Sequence, residues 1–99
     1  MTLKDLKPAL VWDIFDQITK VPRPSKKEEK IIEYLVNFAK ENNIEYKVDG
    51  VGNVAMFKPA TPGCENAPAV VLQSHMDMVC EKASDSTHNF ETDPIETHI

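Results

Sequence analysis

Two side chains that could do metal or acid–base chemistry follow an apolar run in VVLQSHMDMVCEK, residues 70–82. They are the imidazole of His75 and the carboxylate of Asp77. In an extended chain, residues i and i+2 point to the same side, with Cα atoms about 6.5–7 Å apart. The two side chains can therefore share one pocket, where the histidine could bind a metal through one ring nitrogen. The carboxylate could then accept the other ring N–H, or it could hold a second group in the site.

The His-x-Asp pattern is short, and by itself it is more typical of a structural or surface histidine than of a metal ligand. Catalytic zinc takes three protein ligands and keeps one position open. A site formed by His75 with Cys80, His88 and His98 matches no zinc spacing, so surface histidines are the simpler interpretation of His88 and His98. For Cys80 a buried or half-buried free thiol is expected rather than a nucleophile. Cys64 and Cys80 are expected to be free thiols rather than a disulfide.

Two amphipathic helices are predicted in the first half of the chain. Apolar residues recur at the i, i+3, i+4, i+7 spacing of one helical face within residues 8–20. Two prolines follow and prevent that helix from continuing. The second helix is predicted over residues 25–41, because Ser25 followed by Glu28 matches a capping box, in which the hydroxyl accepts a free N–H and the glutamate reaches back.

A hairpin and a central strand are predicted next. Alternating apolar and polar residues predict strands over 44–48 and 53–58, and an Asp-Gly pair between them is typical of a tight turn. The apolar run over 69–75 is typical of a strand covered on both faces of a sheet. Ligands bind outside the carboxyl ends of such strands, where His75 stands. Residues past 81 fit neither pattern and are expected to be irregular.

Length and charge exclude several classes of protein. The chain has 99 residues, enough for one small domain, and a net charge of −5 with no basic stripe. Nucleic acid and anionic membrane surfaces are therefore not expected as partners. The sequence shows no targeting signal and no apolar run of about 18 residues, so a reduced, cytoplasmic protein is expected.

Several segments resemble one known family, in order and over nearly the whole chain. VVLQSHMDMVCEK is similar to the first metal-ligand segment of the zinc-dependent aminoacylase and carboxypeptidase family, above all in its aminoacyl-histidine dipeptidase branch (Xaa-His dipeptidase, or cytosolic beta-alanyl-histidine dipeptidase). LKPALVWDIFDQITKVPRPSKKEEKIIEYLVNFA resembles the opening helices of that branch. VDGVGNVAMFKPATPGCENAPAVVLQSHMDMV resembles its hairpin and third strand, and HNFETDPIETHI the segment before its second metal-ligand motif.

The resemblance implies an α/β/α zinc-exopeptidase-like layered fold. Residues 1–99 would form the N-terminal part of its catalytic metallopeptidase domain, with two helices, the β-hairpin and the central strand. It also implies that His75 is a zinc ligand and that Asp77 is the catalytic aspartate that orients a ligand. The implied enzyme holds two zinc ions per active site, with other divalent metals as an alternative, and hydrolyses dipeptides, preferentially Xaa-His.

The other metal ligands and the general base of the family have no match in this chain, so the chain is expected to end before the second metal-ligand motif and to be inactive alone. Such a cut would leave the central strand with an unpaired edge, so a homodimer or wider self-association is expected. The alternative to a dipeptidase is a non-catalytic α/β domain that keeps the fold for binding or regulation.

Overall fold

Two helices and one β-hairpin make up most of the regular structure of the chain. The structure, a computed structural model, describes residues 1–99. A short 3-10 helix, Leu3–Asp5, precedes helices α1 (Ala9–Thr19) and α2 (Glu29–Glu41), which are followed by strands β1 (Glu45–Val48) and β2 (Val54–Phe57). Both predicted helices and the predicted hairpin are thus confirmed.

Helix α1 lies within the predicted range. Pro8 occupies its N-cap, where the missing proline N–H leaves no helical hydrogen bond unmade. Its apolar side remains partly open to solvent, since Val11 and Phe15 are 59% and 44% exposed. The short helix before it was not predicted, although its signal is present: the Thr2 backbone N–H donates to the carboxylate of Asp5 over 2.6 Å, as in a capping box.

Helix α2 begins four residues later than predicted, and the capping box expected at Ser25 and Glu28 is wrong. Glu28 is itself the N-cap, and no side chain caps the helix. Lys26 has a left-handed backbone with φ of 69°, and its N–H donates to Oε1 of Glu28 over 2.8 Å, so the segment forms a turn. The reason is tertiary: Ser25 donates its backbone N–H to Met78 O, over 3.2 Å, instead of entering the helix.

Helix α2 packs on the hairpin through its apolar face. Ile31 and Ala39 on this helix are among the few buried side chains, with 2% and 0% of their surface exposed. Gly52 in the hairpin turn has φ of +93°, and a Cβ built there would lie 2.8 Å from Cδ1 of Ile32. The left-handed backbone therefore favours glycine at position 52, and a larger residue there would also have to displace the terminal methyl of Ile32.

The hairpin is antiparallel, with Glu45 opposite Phe57 at its open end. Asp49 organises the turn. Its Oδ1 accepts the backbone N–H groups of Val51 and Asn53 over 3.0 and 2.9 Å, and its Oδ2 accepts the Asn53 side-chain amide over 2.8 Å. The Asn53 side chain, and then the backbone N–H groups, hold the pKa of Asp49 below its ordinary value.

The central strand predicted over 69–75 does not form. The sheet has two strands only, and no backbone–backbone hydrogen bond involves any residue from 69 to 77. Val70, Val71 and Leu72 are 83%, 86% and 94% exposed. A strand is stabilised by pairing with neighbours, and no second strand lies beside this run. The run instead forms one wall of an apolar groove of about 660 Å³, with strand β2 as the other.

Residues past 81 contain turns but no helix or strand, as predicted. They nevertheless contact the helical part of the chain. Glu91 forms an ion pair with Lys27 and accepts Lys30 Nζ on its backbone oxygen over 2.9 Å, and Ile95 N–H donates to Thr19 O over 2.9 Å. The chain as a whole is open: 5 of 99 residues are buried, and its radius of gyration is 16.2 Å, against about 13 Å for a compact domain of this length.

No helix of the structure combines the length and the apolar composition that crossing a membrane requires.

Candidate functional site

A short backbone contact fixes the end of the segment that carries His75 and Asp77. The Met78 N–H donates to Arg23 O over 2.8 Å, and the Ser25 N–H donates to Met78 O over 3.2 Å. This pair of bonds is a parallel bridge between the loop before α2 and the chain that follows the candidate site. The candidate site is therefore held from one side by residues 23–25.

The loop itself is anchored to α1. The Arg23 guanidinium donates from Nη1 to Ile18 O, near the end of that helix, over 2.9 Å. Pro24, in the middle of the bridge, is buried. Pro24, the second of the two prolines that stop α1, thus also forms part of the support beneath the candidate site.

Asp77 contacts His75 through one carboxylate oxygen and Ser25 through the other. Its Oδ1 lies 2.9 Å from Nδ1 of the imidazole, and its Oδ2 accepts the serine hydroxyl over 2.5 Å, the lower limit for a hydroxyl bonded to a carboxylate. The hydroxyl of Ser25, and after it the ring of His75, hold the pKa of the Asp77 carboxyl below its ordinary value. Asp77 is therefore an anion with both oxygens committed.

The imidazole has one nitrogen engaged and one open. When Nδ1 carries the proton it donates to Asp77, and Nε2 presents a lone pair outward. The His75 side chain is 79% exposed, so Nε2 is accessible to a metal ion or a substrate. The structure thus brings together the two residues that the sequence singled out, in the imidazole–carboxylate arrangement that orients metal-binding histidines.

The cavity at this position, of about 370 Å³, is mostly apolar. Ile18, Ile31 and Leu35 line one side of it, and residues 74–79 line the other. Both helices therefore contribute to the wall beneath the candidate site.

This chain supplies one of the ligands that a zinc site needs, His75, and does not supply a complete set. No group of three or more histidine, cysteine, aspartate or glutamate side chains lies close enough to hold a metal ion. Cys80, His88 and His98 are accordingly not gathered around His75. Both cysteines are free thiols, as predicted, and both are exposed, so the expectation that Cys80 is at least half-buried is wrong. A catalytic zinc would need further ligands beyond His75.

Ser25 is the residue of this site that sequence reasoning misassigned. It lies 52 positions from Asp77 in the sequence and was predicted to cap α2. The Ser-x-x-Glu pattern carries a local signal, and the long-range contact that overrides it has no periodic or short-motif signature. The resemblance supplied the only hint, because the segment that resembles the opening helices of the dipeptidase branch includes this serine.

Known proteins match the whole chain. The cytosol non-specific dipeptidase of Escherichia coli (strain K12) is 47% identical over 97 residues, which are 98% of this chain and 20% of that protein. The crystal structure of aminoacylhistidine dipeptidase from Vibrio alginolyticus matches 100% of this chain and 20% of its own, with a TM-score of 0.95 and 45% identity. No protein-family model matches the chain.

The chain thus spans about one fifth of the length of both relatives. Its two helices and antiparallel hairpin correspond to the N-terminal portion of the solved dipeptidase structure. The resemblance to the aminoacyl-histidine dipeptidase branch is therefore confirmed, and this chain has the α/β fold of the N-terminal portion of such a dipeptidase.

Proposed function

We propose that this chain is part of a zinc-dependent dipeptidase, in which His75 is a zinc ligand and Asp77 is the aspartate that orients it. The observation that carries the proposal is the 2.9 Å contact between Nδ1 of His75 and Oδ1 of Asp77, with Nε2 left open. The similarity to two dipeptidases over the whole chain supports the reaction class. Dipeptide hydrolysis is proposed for the whole protein, because the 99 residues match only about one fifth of each relative.

Zinc bound at this position would supply a Lewis acid and lower the pKa of a bound water toward about 7. His75 contributes one neutral donor, Nε2, and Asp77 fixes the ring through Nδ1. The exposed position of the imidazole lets a substrate approach it from solvent. Two zinc ions, or another pair of divalent metals, require further ligands outside the donor set of this chain.

The proposed substrates are dipeptides, with a preference for Xaa-His. The name of the Vibrio alginolyticus relative supports a histidine-containing substrate, whereas the E. coli relative is described as non-specific. Comparing kcat/KM of the whole protein for Xaa-His and Xaa-Ala dipeptides with a common first residue decides between the two. Equal values would contradict the preference for histidine and leave dipeptide hydrolysis intact. The cytosolic description of the E. coli relative supports a cytoplasmic location.

The zinc-ligand role is tested by His75→Ala in the whole protein, with His98→Ala as the matched control. His98 is exposed and makes no side-chain hydrogen bond. His75→Ala should lower zinc content and dipeptidase activity together, because it removes a direct ligand, and His98→Ala should change neither. Metal analysis and dipeptide kinetics measure both. Wild-type zinc content in His75→Ala would contradict the assignment.

We further propose that the 99-residue chain by itself binds zinc weakly and hydrolyses no dipeptide, since it supplies a single recognised zinc ligand. Calorimetric zinc titration and a histidine-dipeptide assay test this. Micromolar binding with measurable turnover would instead mean that these residues form a complete site. Zinc binding without hydrolysis would support the alternative, a non-catalytic domain.

A second copy of the chain is the proposed partner of the exposed run 69–74. Its backbone hydrogen-bonding groups are unpaired and its apolar side chains face solvent, which favours edge-to-edge pairing. The chain on its own should therefore form dimers or larger species whose population rises with concentration.

A further inference from the structure

The hydroxyl of Ser25 is engaged in the candidate site rather than in the helix beside it. It is the only protein donor to Oδ2 of Asp77, at 2.5 Å. The hydroxyl oxygen of Ser25 also lies 3.3 Å from Met78 O. A hydroxyl has one proton, so Ser25 could donate to Met78 O only by giving up the shorter bond to Asp77. The carboxylate is the stronger acceptor and holds that proton.

The serine is well placed for this contact because its backbone is fixed. Its N–H is bonded to Met78 O, and the preceding Pro24 is buried within the same bridge. The loop and the segment that carries Asp77 therefore move together. Ser25 is nevertheless exposed and makes no helix-capping bond, so burial and capping do not account for a hydroxyl at this position.

A carboxylate that lacks this bond is free to rotate, because the terminal torsion of aspartate is broad. Rotation would draw Oδ1 away from the imidazole. Nδ1 of His75 also lies 3.0 Å from the backbone oxygen of Asp77, which is a neutral and weaker acceptor. The serine hydroxyl thus determines whether Nδ1 of His75 donates to the Asp77 carboxylate or to the Asp77 backbone oxygen.

We propose that Ser25 is a positioning residue of this site: its hydroxyl fixes the Asp77 carboxylate so that Oδ1 faces Nδ1 of His75 and Nε2 points outward. Only the expected effect on zinc binding rests on the proposed function, in which His75 is a zinc ligand. The positioning itself is a property of the metal-free chain.

The test uses an isosteric pair in the whole protein. Ser25→Thr keeps the hydroxyl, whereas Ser25→Val introduces a side chain with the shape of threonine but without a hydroxyl. The exposed position accommodates the added methyl groups of both variants. Ser84→Ala, which removes an exposed serine hydroxyl that makes no hydrogen bond, is the control. Zinc affinity is measured by competition with a chelator. The Nδ1–H fraction of His75 in the metal-free protein is measured by nitrogen-15 NMR.

Ser25→Val should lower zinc affinity about 10-fold, the lower end of the effect of an outer-shell partner, and should reduce the Nδ1–H fraction. Ser25→Thr and Ser84→Ala should match the wild type in both. In an Asp77→Ala background, Ser25→Val should have no further effect, because the serine acts only through that carboxylate.

The possible failures are distinguishable. An equal Nδ1–H fraction in the threonine and valine variants overturns the positioning role, whatever the zinc result. An additive loss of zinc affinity in the double variant also overturns it, since that marks a general effect on the fold. If His75→Ala retains zinc while the Nδ1–H fraction still differs between the pair, the zinc-ligand proposal fails and the positioning role stands.

Discussion

Residues 69–74 and 75–78 are consecutive in the chain, yet they are held in opposite ways. The first segment has no backbone hydrogen bond, and its apolar side chains are exposed. The second is tied to the loop before α2 by two backbone bonds and by the contact of Asp77 with Ser25, and Asp77 also contacts His75 within the segment. The candidate site therefore depends on a few polar contacts within the chain, whereas the apolar run depends on a neighbour that these residues do not supply.

The difference shows that the two kinds of structure have different requirements. A polar site can form from two loops that meet, because each hydrogen bond needs one partner in the right direction. A central strand needs paired edges on both sides and cover on both faces before its apolar residues are stabilised. The chain meets the first requirement at residues 23–25 and fails the second at 69–74.

The largest expected effect concerns the polar segment. In the proposed site the aspartate orients a zinc ligand and does not itself bind the metal, so Asp77→Ala in the whole protein should cut dipeptidase activity about 10–100-fold and leave much of the zinc in place. Kinetics and metal analysis on the same preparation measure this. Asp85→Ala, an exposed aspartate without a side-chain contact, is the control. Loss of all zinc from Asp77→Ala would make this residue a ligand instead.

The next effect concerns the small core that supports the polar segment. Ile31→Ala removes a side chain that is 2% exposed, beneath the cavity at His75. It should lower the free energy of unfolding by about 2 kcal/mol, the low end for such a change, because few other residues are buried around it. Denaturant unfolding measures this. Val51→Ala, at an 86% exposed position, should have little effect, and equal losses would show that α2 is not packed as described.

A smaller effect is expected at the apolar run. Leu72→Lys in the 99-residue chain should weaken self-association several-fold, because a charge on an exposed strand edge opposes pairing. Sedimentation at several concentrations detects it. Val51→Lys places the same charge on an exposed apolar residue outside the groove and should leave self-association unchanged. A wild-type chain that stays monomeric at every concentration would contradict the proposed pairing.

The smallest effect concerns the hairpin turn. The pKa of Asp49 is lowered in the folded chain, so the folded state binds its proton less readily than the unfolded state does. Its contribution to stability is therefore fully present above the ordinary aspartate pKa of about 3.9 and is lost as the pH falls through the lower folded value. Asp49→Asn should flatten the pH dependence of stability in that range. An unchanged pH profile would mean that the turn carboxylate contributes nothing.

Local signals in the sequence were sufficient to predict the two helices, the hairpin and the proximity of His75 and Asp77. Periodicity located α1 and α2, and the Asp-Gly turn located the hairpin, because these signals are local and repeat within a few residues. His75 and Asp77 were identifiable because residues i and i+2 share a side in an extended chain. The resemblance to the dipeptidase branch likewise rests on residues that can be quoted from the sequence.

The contacts of Ser25 and the absence of a strand over residues 69–75 depend instead on long-range contacts. Ser25 matches a local capping pattern, but it does not cap the helix. Its N–H is bonded to Met78 O and its hydroxyl to Asp77 instead. The apolar run has the composition of a strand and lacks a partner, since strand formation is a property of a pair and not of one segment. Both outcomes depend on which residues distant in sequence meet in space, and no local pattern records that.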